Sequence, residues 1–302
     1  MDRGITILAL HKPNYGKWAF NLAVSIKHYA KDIPIQLIHD EKAITGLSSA
    51  MMGIFNVKTA VDETFYNYKG RFSPGRAKIL AYKYYAFKKT IQLDADTICV
   101  QDVNSLFDKC TKDIHMQCNK WWNQDTPDKN ADGTWRWHDW ITVANVRKHL
   151  DLKGDYESYG VNSSFIYMRK SKAALAFVKD ALAVCDGEQI QGMNVWGKSF
   201  PDELGWGIAI IKQQINPTFE GQIKEELTDQ NSIPNFFPHK SSVNIFEHKQ
   251  YYFMTYYGGR HFTSSIFHSQ YDRLMQKYLN EIGMNHTFKI THLMKDKHVT
   301  GK

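Results

Sequence analysis

Two aspartates one residue apart, Asp94 and Asp96, interrupt an apolar run in Lys89-Thr90-Ile91-Gln92-Leu93-Asp94-Ala95-Asp96-Thr97-Ile98-Cys99-Val100. Carboxylate oxygens are hard ligands that suit Mg²⁺ or Mn²⁺. Such an ion on a substrate diphosphate takes one or two protein carboxylates and leaves its other positions to phosphate and water. This is the only Asp-x-Asp in the chain, and it ends a strand-like stretch. Ligand sites in open α/β sheets lie beyond the carboxyl ends of strands, so this placement favours a metal site over a solvated turn.

Other residues gather around the same edge. Phe72-Ser73-Pro74-Gly75-Arg76 reads as a turn and helix start. The following helix, expected over Ala77 to Lys88, would bring Arg76 and Lys78 within reach of a donor phosphate. Pro201-Asp202-Glu203 places two acids at a helix N-terminus, where Asp202 is adequately explained as a cap. Between Trp121 and Trp140 the chain reads as a loop carrying five of its eight tryptophans. Their faces suit a flat acceptor, a sugar ring or an unstacked base, or else form a cluster that pins the loop.

The elements that must hold these residues follow from periodicity. Ile5 to Leu10 reads as a buried strand, Pro13 to Gly16 as a turn, Lys17 to Tyr29 as an amphipathic helix and Ile33 to Asp40 as a second strand. Strand, helix and strand in this order form the βαβ unit of a parallel sheet. Tyr159 to Met168 begins with small polar residues and continues as a strand, with a helix expected from Ser171 to Cys185. Gln250 to Tyr257 is strand-like and a helix is expected from Ser269.

At 302 residues and 43% hydrophobic content the chain can bury a substantial core, and no Gly/Pro-rich linker divides it. Its four cysteines lack zinc-type spacing and read as reduced thiols. No apolar run approaches the length of a membrane span or signal peptide, so a soluble, cytoplasmic protein is expected. A formal charge of +7 favours an anionic partner, whether nucleic acid, an anionic membrane face or a nucleotide-sugar.

Together these features resemble the GT-A fold nucleotide-diphospho-sugar glycosyltransferases, most nearly glycosyltransferase family 8, the retaining, glycogenin-like enzymes. The specific part is Ile91-Gln92-Leu93-Asp94-Ala95-Asp96-Thr97-Ile98 with the downstream Asn104-Ser105-Leu106-Phe107. The first strand with Tyr15-Gly16, the segment Asn162-Ser163-Ser164-Phe165-Ile166 and Pro201-Asp202-Glu203 support it. The resemblance implies an α/β, Rossmann-like fold with a mostly parallel central sheet flanked by helices. Residues 1–215 would form the nucleotide-sugar-binding core, and residues 216–302 a C-terminal part completing the active site and acceptor face.

The resemblance also implies residue roles. Asp94 and Asp96, with Ala95 between them, would bind Mn²⁺ (or Mg²⁺) and the donor ribose or diphosphate. Ala9, Leu10, His11 and Tyr15 would lie near the base and ribose of a UDP-sugar. Asn162 and Ser163 would line the sugar or acceptor pocket, and Asp202 would be the acidic residue near the reacting sugar. The family's terminal His-x-x-Gly-x-x-Lys-Pro stretch is missing here, and Tyr257-Gly258-Gly259-Arg260-His261 is a degenerate relative of it. Arg260 then becomes a phosphate contact, and the third metal ligand is one of His268, His261 and His292, with His268 taken first.

The expected activity is metal-dependent transfer of a sugar from a nucleotide-diphosphate donor to an acceptor hydroxyl. The acceptor is a saccharide or, given the charge and the tryptophans, a hydroxymethylated base in DNA. The alternatives are a sugar-nucleotide nucleotidyltransferase and a non-catalytic nucleic-acid binder. The first lacks a Gly-rich phosphate loop after the first strand, and the second leaves the carboxylate pair without a purpose.

Overall fold

A computed structural model describes residues 1–99, 101–122, 148–151, 158–186, 201–218, 228–229, 252–255, 273 and 275–284. Its centre is a six-stranded sheet made of β1 (Arg3–Ala9), β2 (Ile35–His39), β3 (Val57–Ala60), β6 (Lys89–Leu93), β8 (Ile114–Trp122) and β9 (Ser158–Arg169). The spatial order is β3-β2-β1-β6-β9-β8. The first four strands run parallel, while β9 is antiparallel to both β6 and β8.

β1 and β2 are buried on both faces, and their near-continuous apolar sequences are those of strands covered on each side. The polar residues within them are paired. Thr6 donates to Gln36 Oε1 at 2.9 Å, and the Gln36 amide donates to Thr59 Oγ1 at 2.9 Å and to the carbonyl of Tyr84 at 2.7 Å.

The βαβ opening is present, with α1 spanning Pro13–Tyr29. It begins four residues earlier than the periodicity predicts, because proline at the first helical position sacrifices only an N–H that has no intrahelical partner. Its Gly16 packs where an added Cβ would stand 2.0 Å from the Ala43 carbonyl oxygen, on the short helix α2 (Glu41–Ile44). A second short helix, α3 (Ser49–Met52), leads into β3, and the two-stranded hairpin β4 (Asn67–Tyr68) and β5 (Arg71–Phe72) follows.

The helix expected over 77–88 is split into α4 (Pro74–Leu80) and a 3-10 turn, Ala81–Tyr84. The Tyr84 carbonyl and the Ala86 N–H are taken by the Gln36 side chain, which draws this backbone out of helical pairing and onto the sheet. Trp121 and Trp122 belong to β8 and not to a loop, because the antiparallel ladder with β9 continues to that point. Trp135, Trp137 and Trp140 lie outside the described residues.

Beyond Asp96 the chain forms β7 (Thr97–Cys99) and α5 (Asn104–Lys109); after β9 come α6 (Lys172–Asp186) and α7 (Asp202–Gln213). Of the strand expected over 250–257, the described part is β11 (Phe253–Thr255), which pairs with β7 and with β10 (Thr228–Asp229). Helical residues 275–281 set Met275, Tyr278 and Leu279 into the same core as α1 and β1. The described C-terminal segments thus share one hydrophobic core with the N-terminal half. Among the described residues, no helix is long and apolar enough to cross a membrane.

Candidate functional site

The carboxyl ends of β1, β2 and β6 face one edge, which collects Leu10 to Lys12, Asp40 and Asp94 to Asp96. At the third of these ends Ala95 is packed into the core at 5% exposure, while the aspartates on either side of it are half-buried. Asp94 is tied to the sheet by its own N–H, which donates to the Ser164 carbonyl at 3.2 Å.

Lys78 of α4 reaches this point. Its Nζ lies 2.7 Å from Asp94 Oδ1 and 2.9 Å from Oδ2, 3.1 Å from Ser163 Oγ and 3.8 Å from Asp202 Oδ2. Asp94, Asp202 and Glu203 all raise its affinity for its proton, against the opposing effect of burial. Lys78 is therefore a permanent ammonium surrounded by acids.

Asp202 is not a cap. Pro201 occupies that position, Asp202 is the first helical residue, and its carboxyl turns toward Lys78 and Ser163. Burial pushes the carboxyl up from its ordinary value, Lys78 pulls it down and Asp94 pushes it up further. Its Oδ2 is buried and accepts no hydrogen bond among the described residues. A buried acceptor of this kind is costly unless something donates to it.

Ser163 reaches the cluster because β9 bulges. Met116 pairs with Ile166 but the next residue, Gln117, pairs with Asn162, so three residues of β9 have no counterpart on β8. Asn162 closes the bulge by accepting from the Ser164 N–H at 3.0 Å and donating to Gln117 Oε1 at 3.2 Å. Bulges of this kind re-aim side chains beside active sites.

Tyr15, one turn into α1, faces the aspartates. Burial raises the pKa of its hydroxyl, and the charges of Asp96 and Asp94 raise it further. His11 has a left-handed backbone (φ 73°) and donates its N–H to Asp40 Oδ2 at 2.8 Å. Its ring stacks on Phe72 of β5 with centroids 4.4 Å apart and meets Tyr66 edge-on. Burial, with Lys12 and Lys42 nearby, lowers the pKa of the ring and favours its neutral form. Ala9 ends β1 and Leu10 follows it, both with their side chains buried in the core.

Arg76 has a different partner from the one expected. Its guanidinium pairs with Asp186 at the end of α6 and lies over the Tyr68 ring at 4.4 Å, which makes it a clamp between α4, the hairpin and α6. Arg260, His261, His268 and His292 lie outside the described residues. Among the described residues, no group of three His, Cys, Asp or Glu side chains could hold a metal ion. Asp94 and Asp96 supply carboxylate oxygens, the donor type that suits a hard cation, and the Lys78 ammonium lies across both oxygens of Asp94.

The Lys78, Ser163 and Asp202 network is not visible as a motif in the sequence, and neither are the contacts of Gln117 and Phe72. The nearest signal is the run of small polar residues Asn162-Ser163-Ser164 at the head of a strand.

A family model described as "Mannosyltransferase putative" matches residues 2–111, from β1 through α5. None of the curated proteins matches the chain in sequence. Among solved structures, the apo structure of the bifunctional glycosyltransferase WbbM superposes with a TM-score of 0.54 at 13% identity. That match covers 85% of this chain and 46% of the other, so the chain spans less than half the length of that neighbour. The galactosyltransferase LgtC, in complex with donor and acceptor sugar analogues, gives a TM-score of 0.49 at 12% identity over 92% and 96% of the two chains. Mouse xyloside xylosyltransferase 1 in its apo form gives 0.46 at 8% identity over 84% and 97%. The architecture is that of the GT-A glycosyltransferases.

Proposed function

We propose that this chain is a metal-dependent glycosyltransferase that moves a hexose from a nucleotide-diphosphate donor to an acceptor hydroxyl. The observation that carries this reading is the convergence of Asp94, Lys78, Ser163 and Asp202 at the carboxyl edge of a GT-A sheet, with an orphan acceptor on Asp202. Mannose is the first candidate sugar because of the matched family model, with UDP-glucose and UDP-galactose as the other donors to compare.

In the proposed reaction the bond from the anomeric carbon to the phosphate oxygen breaks and a bond to the acceptor oxygen forms. The acceptor loses its proton and a nucleoside diphosphate leaves. Asp94 and Asp96 would hold Mn²⁺ or Mg²⁺, which would neutralise charge on the departing diphosphate. Acids outnumber the single ammonium of Lys78 here, so a diphosphate enters only with compensating cations. Lys78 then adds a fixed positive charge beside the leaving group, and electrostatic stabilisation of this kind contributes on the order of 3 kcal/mol per well-placed donor.

Asp202 and Asn162 orient the sugar, with Asp202 Oδ2 accepting from a sugar hydroxyl. His11 and Tyr15 pack against the base and ribose. Attack on the same face as the departing group, giving retention, fits the resemblance to glycosyltransferase family 8. Residues 216–302 would complete the acceptor side, as β11 and 275–281 already share the core.

The test is thermal stabilisation by GDP-mannose, UDP-glucose, UDP-galactose and the free diphosphates, each with and without Mn²⁺, on wild type and Asp96→Asn. Stabilisation that needs both metal and nucleotide and is lost in the variant is expected. No shift with any donor overturns the reading. The salt dependence of acceptor binding separates a DNA acceptor from a saccharide, since phosphate contacts release counterions.

A further inference from the structure

The buried side of α1 carries polar side chains in a row. Asn21, Ser25 and Tyr29 follow one another at the four-residue spacing that keeps side chains on one helix face. This face packs on β7, the strand that follows directly from Asp96. The Ser25 hydroxyl oxygen accepts the Cys99 N–H at 2.9 Å. Burial raises the pKa of the Tyr29 hydroxyl, and the Cys99 thiol close by raises it further. Cys99 and Thr97, two residues apart on a strand, point to the same side, so Thr97 also faces α1.

α1 and β7 run in the same direction from the candidate site. Tyr15, near the start of α1, lies within electrostatic reach of Asp96, and Ser25 meets Cys99 further along. One step back from that contact is about 6 Å on the helix, from Ser25 to Asn21, and about 6.6 Å on the strand, from Cys99 to Thr97. Asn21 and Thr97 therefore stand level with each other. Both are completely buried. The amide oxygen and nitrogen of Asn21 and the hydroxyl of Thr97 make no hydrogen bond among the described residues.

Buried polar groups without partners cost stability, and apolar side chains of similar shape would fill both positions without that cost. The two groups are chemical complements, since an amide both donates and accepts and so does a hydroxyl. On the transfer reading proposed above, we infer that Asn21 is a positioning residue for Asp96, its amide pairing with the Thr97 hydroxyl when the donor diphosphate and its divalent ion engage the aspartates. Thr97 is joined to Asp96 by one peptide bond. A short approach of the start of β7 to α1 closes this pair and sets the backbone that carries Asp96. The Ser25 contact holds the far end of β7, so the adjustment is local.

The test compares wild type with Asn21→Leu, Thr97→Val and the double variant. The Tm of each protein alone is measured, and so is its Mn²⁺ affinity in the presence of GDP or UDP, followed by water-proton relaxation. Asn21→Leu should raise Tm by about 2–5 °C, because the unpaired amide is gone, and Thr97→Val should not lower it. Each single variant should weaken nucleotide-dependent Mn²⁺ binding about ten-fold. The double variant should weaken it no further than either single change, because removing one partner already removes the pair.

A fall in Tm for Asn21→Leu overturns the proposal, since the amide would then serve the fold itself. Losses in affinity that add in the double variant also overturn it, because the two side chains would then act separately. Wild type that binds no Mn²⁺ with either nucleotide refutes the transfer reading and this role with it. Binding in wild type that Asn21→Leu or Thr97→Val leaves intact refutes this role alone, so the two failures are told apart.

Discussion

Lys78 Nζ covers both carboxylate oxygens of Asp94, at 2.7 and 2.9 Å, and thereby takes the coordination sites a metal would need. Loading a divalent ion on Asp94 requires this ammonium to move toward Asp202 Oδ2, at present 3.8 Å away. Lys78→Met should therefore bind Mn²⁺ about ten-fold more tightly in the absence of nucleotide, because a charge-assisted hydrogen bond no longer competes. Transfer by the same variant should be slower. Titration of Mn²⁺ followed by water-proton relaxation checks the affinity; unchanged or weaker binding would show that Lys78 does not compete.

Asp202→Asn keeps the shape of the side chain but replaces the carboxyl group with an amide. If Oδ2 holds a sugar hydroxyl most strongly in the transition state, kcat should fall about a hundred-fold while affinity for the nucleoside diphosphate changes little. Steady-state kinetics with the donor identified by thermal shift provide the measurement. An equal loss in diphosphate affinity would place Asp202 in the metal and phosphate half of the site.

Gly16 is required by close approach and not by backbone conformation. A Cβ there would stand 2.0 Å from the Ala43 carbonyl oxygen, which the rigid α2 cannot vacate cheaply. Gly16→Ala should cost about 1–3 kcal/mol despite the better helix propensity of alanine, and should lower Tm accordingly. Because α2 is capped by Asp40, which also holds the His11 N–H, donor-induced stabilisation should weaken in the same variant.

His115 makes stability depend on pH. Burial, with Lys112 and Arg169 nearby, pulls its pKa from the ordinary 6.5 to about 4. The unfolded chain takes up this proton below about pH 6.5, while the folded chain refuses it until about pH 4. The contribution is complete above the unfolded value and is lost as pH falls, by up to about 3 kcal/mol. Denaturant unfolding of wild type and His115→Gln at pH 7 and at pH 4.5 should show the variant losing less stability on acidification.

How far the sequence carries the fold depends on whether the signal is local. β1, α1, β2 and the Asp94–Asp96 pair are written in contiguous periodicity, and the structure has them. Where distant residues decide, the local pattern misleads. Gln36 ends the helix expected over 77–88, and the β9 ladder carries Trp121 and Trp122 into a strand. The same holds at the site. Asp94 and Asp96 announce themselves, whereas the turn of Asp202 away from capping and the commitment of Arg76 to Asp186 depend on partners 110 or more residues away.

The bulge in β9 has a consequence for how this chain can change. Three residues of one strand are unmatched on the β8 side, yet Phe165 to Arg169 remain in register with β6. An insertion or deletion among Asn162, Ser163 and Ser164 would alter the reach of Ser163 while leaving that ladder and the core beneath it in place. Length variation at this point is therefore a route by which descendants of this chain could reshape the surroundings of Lys78 and Asp202 without refounding the fold.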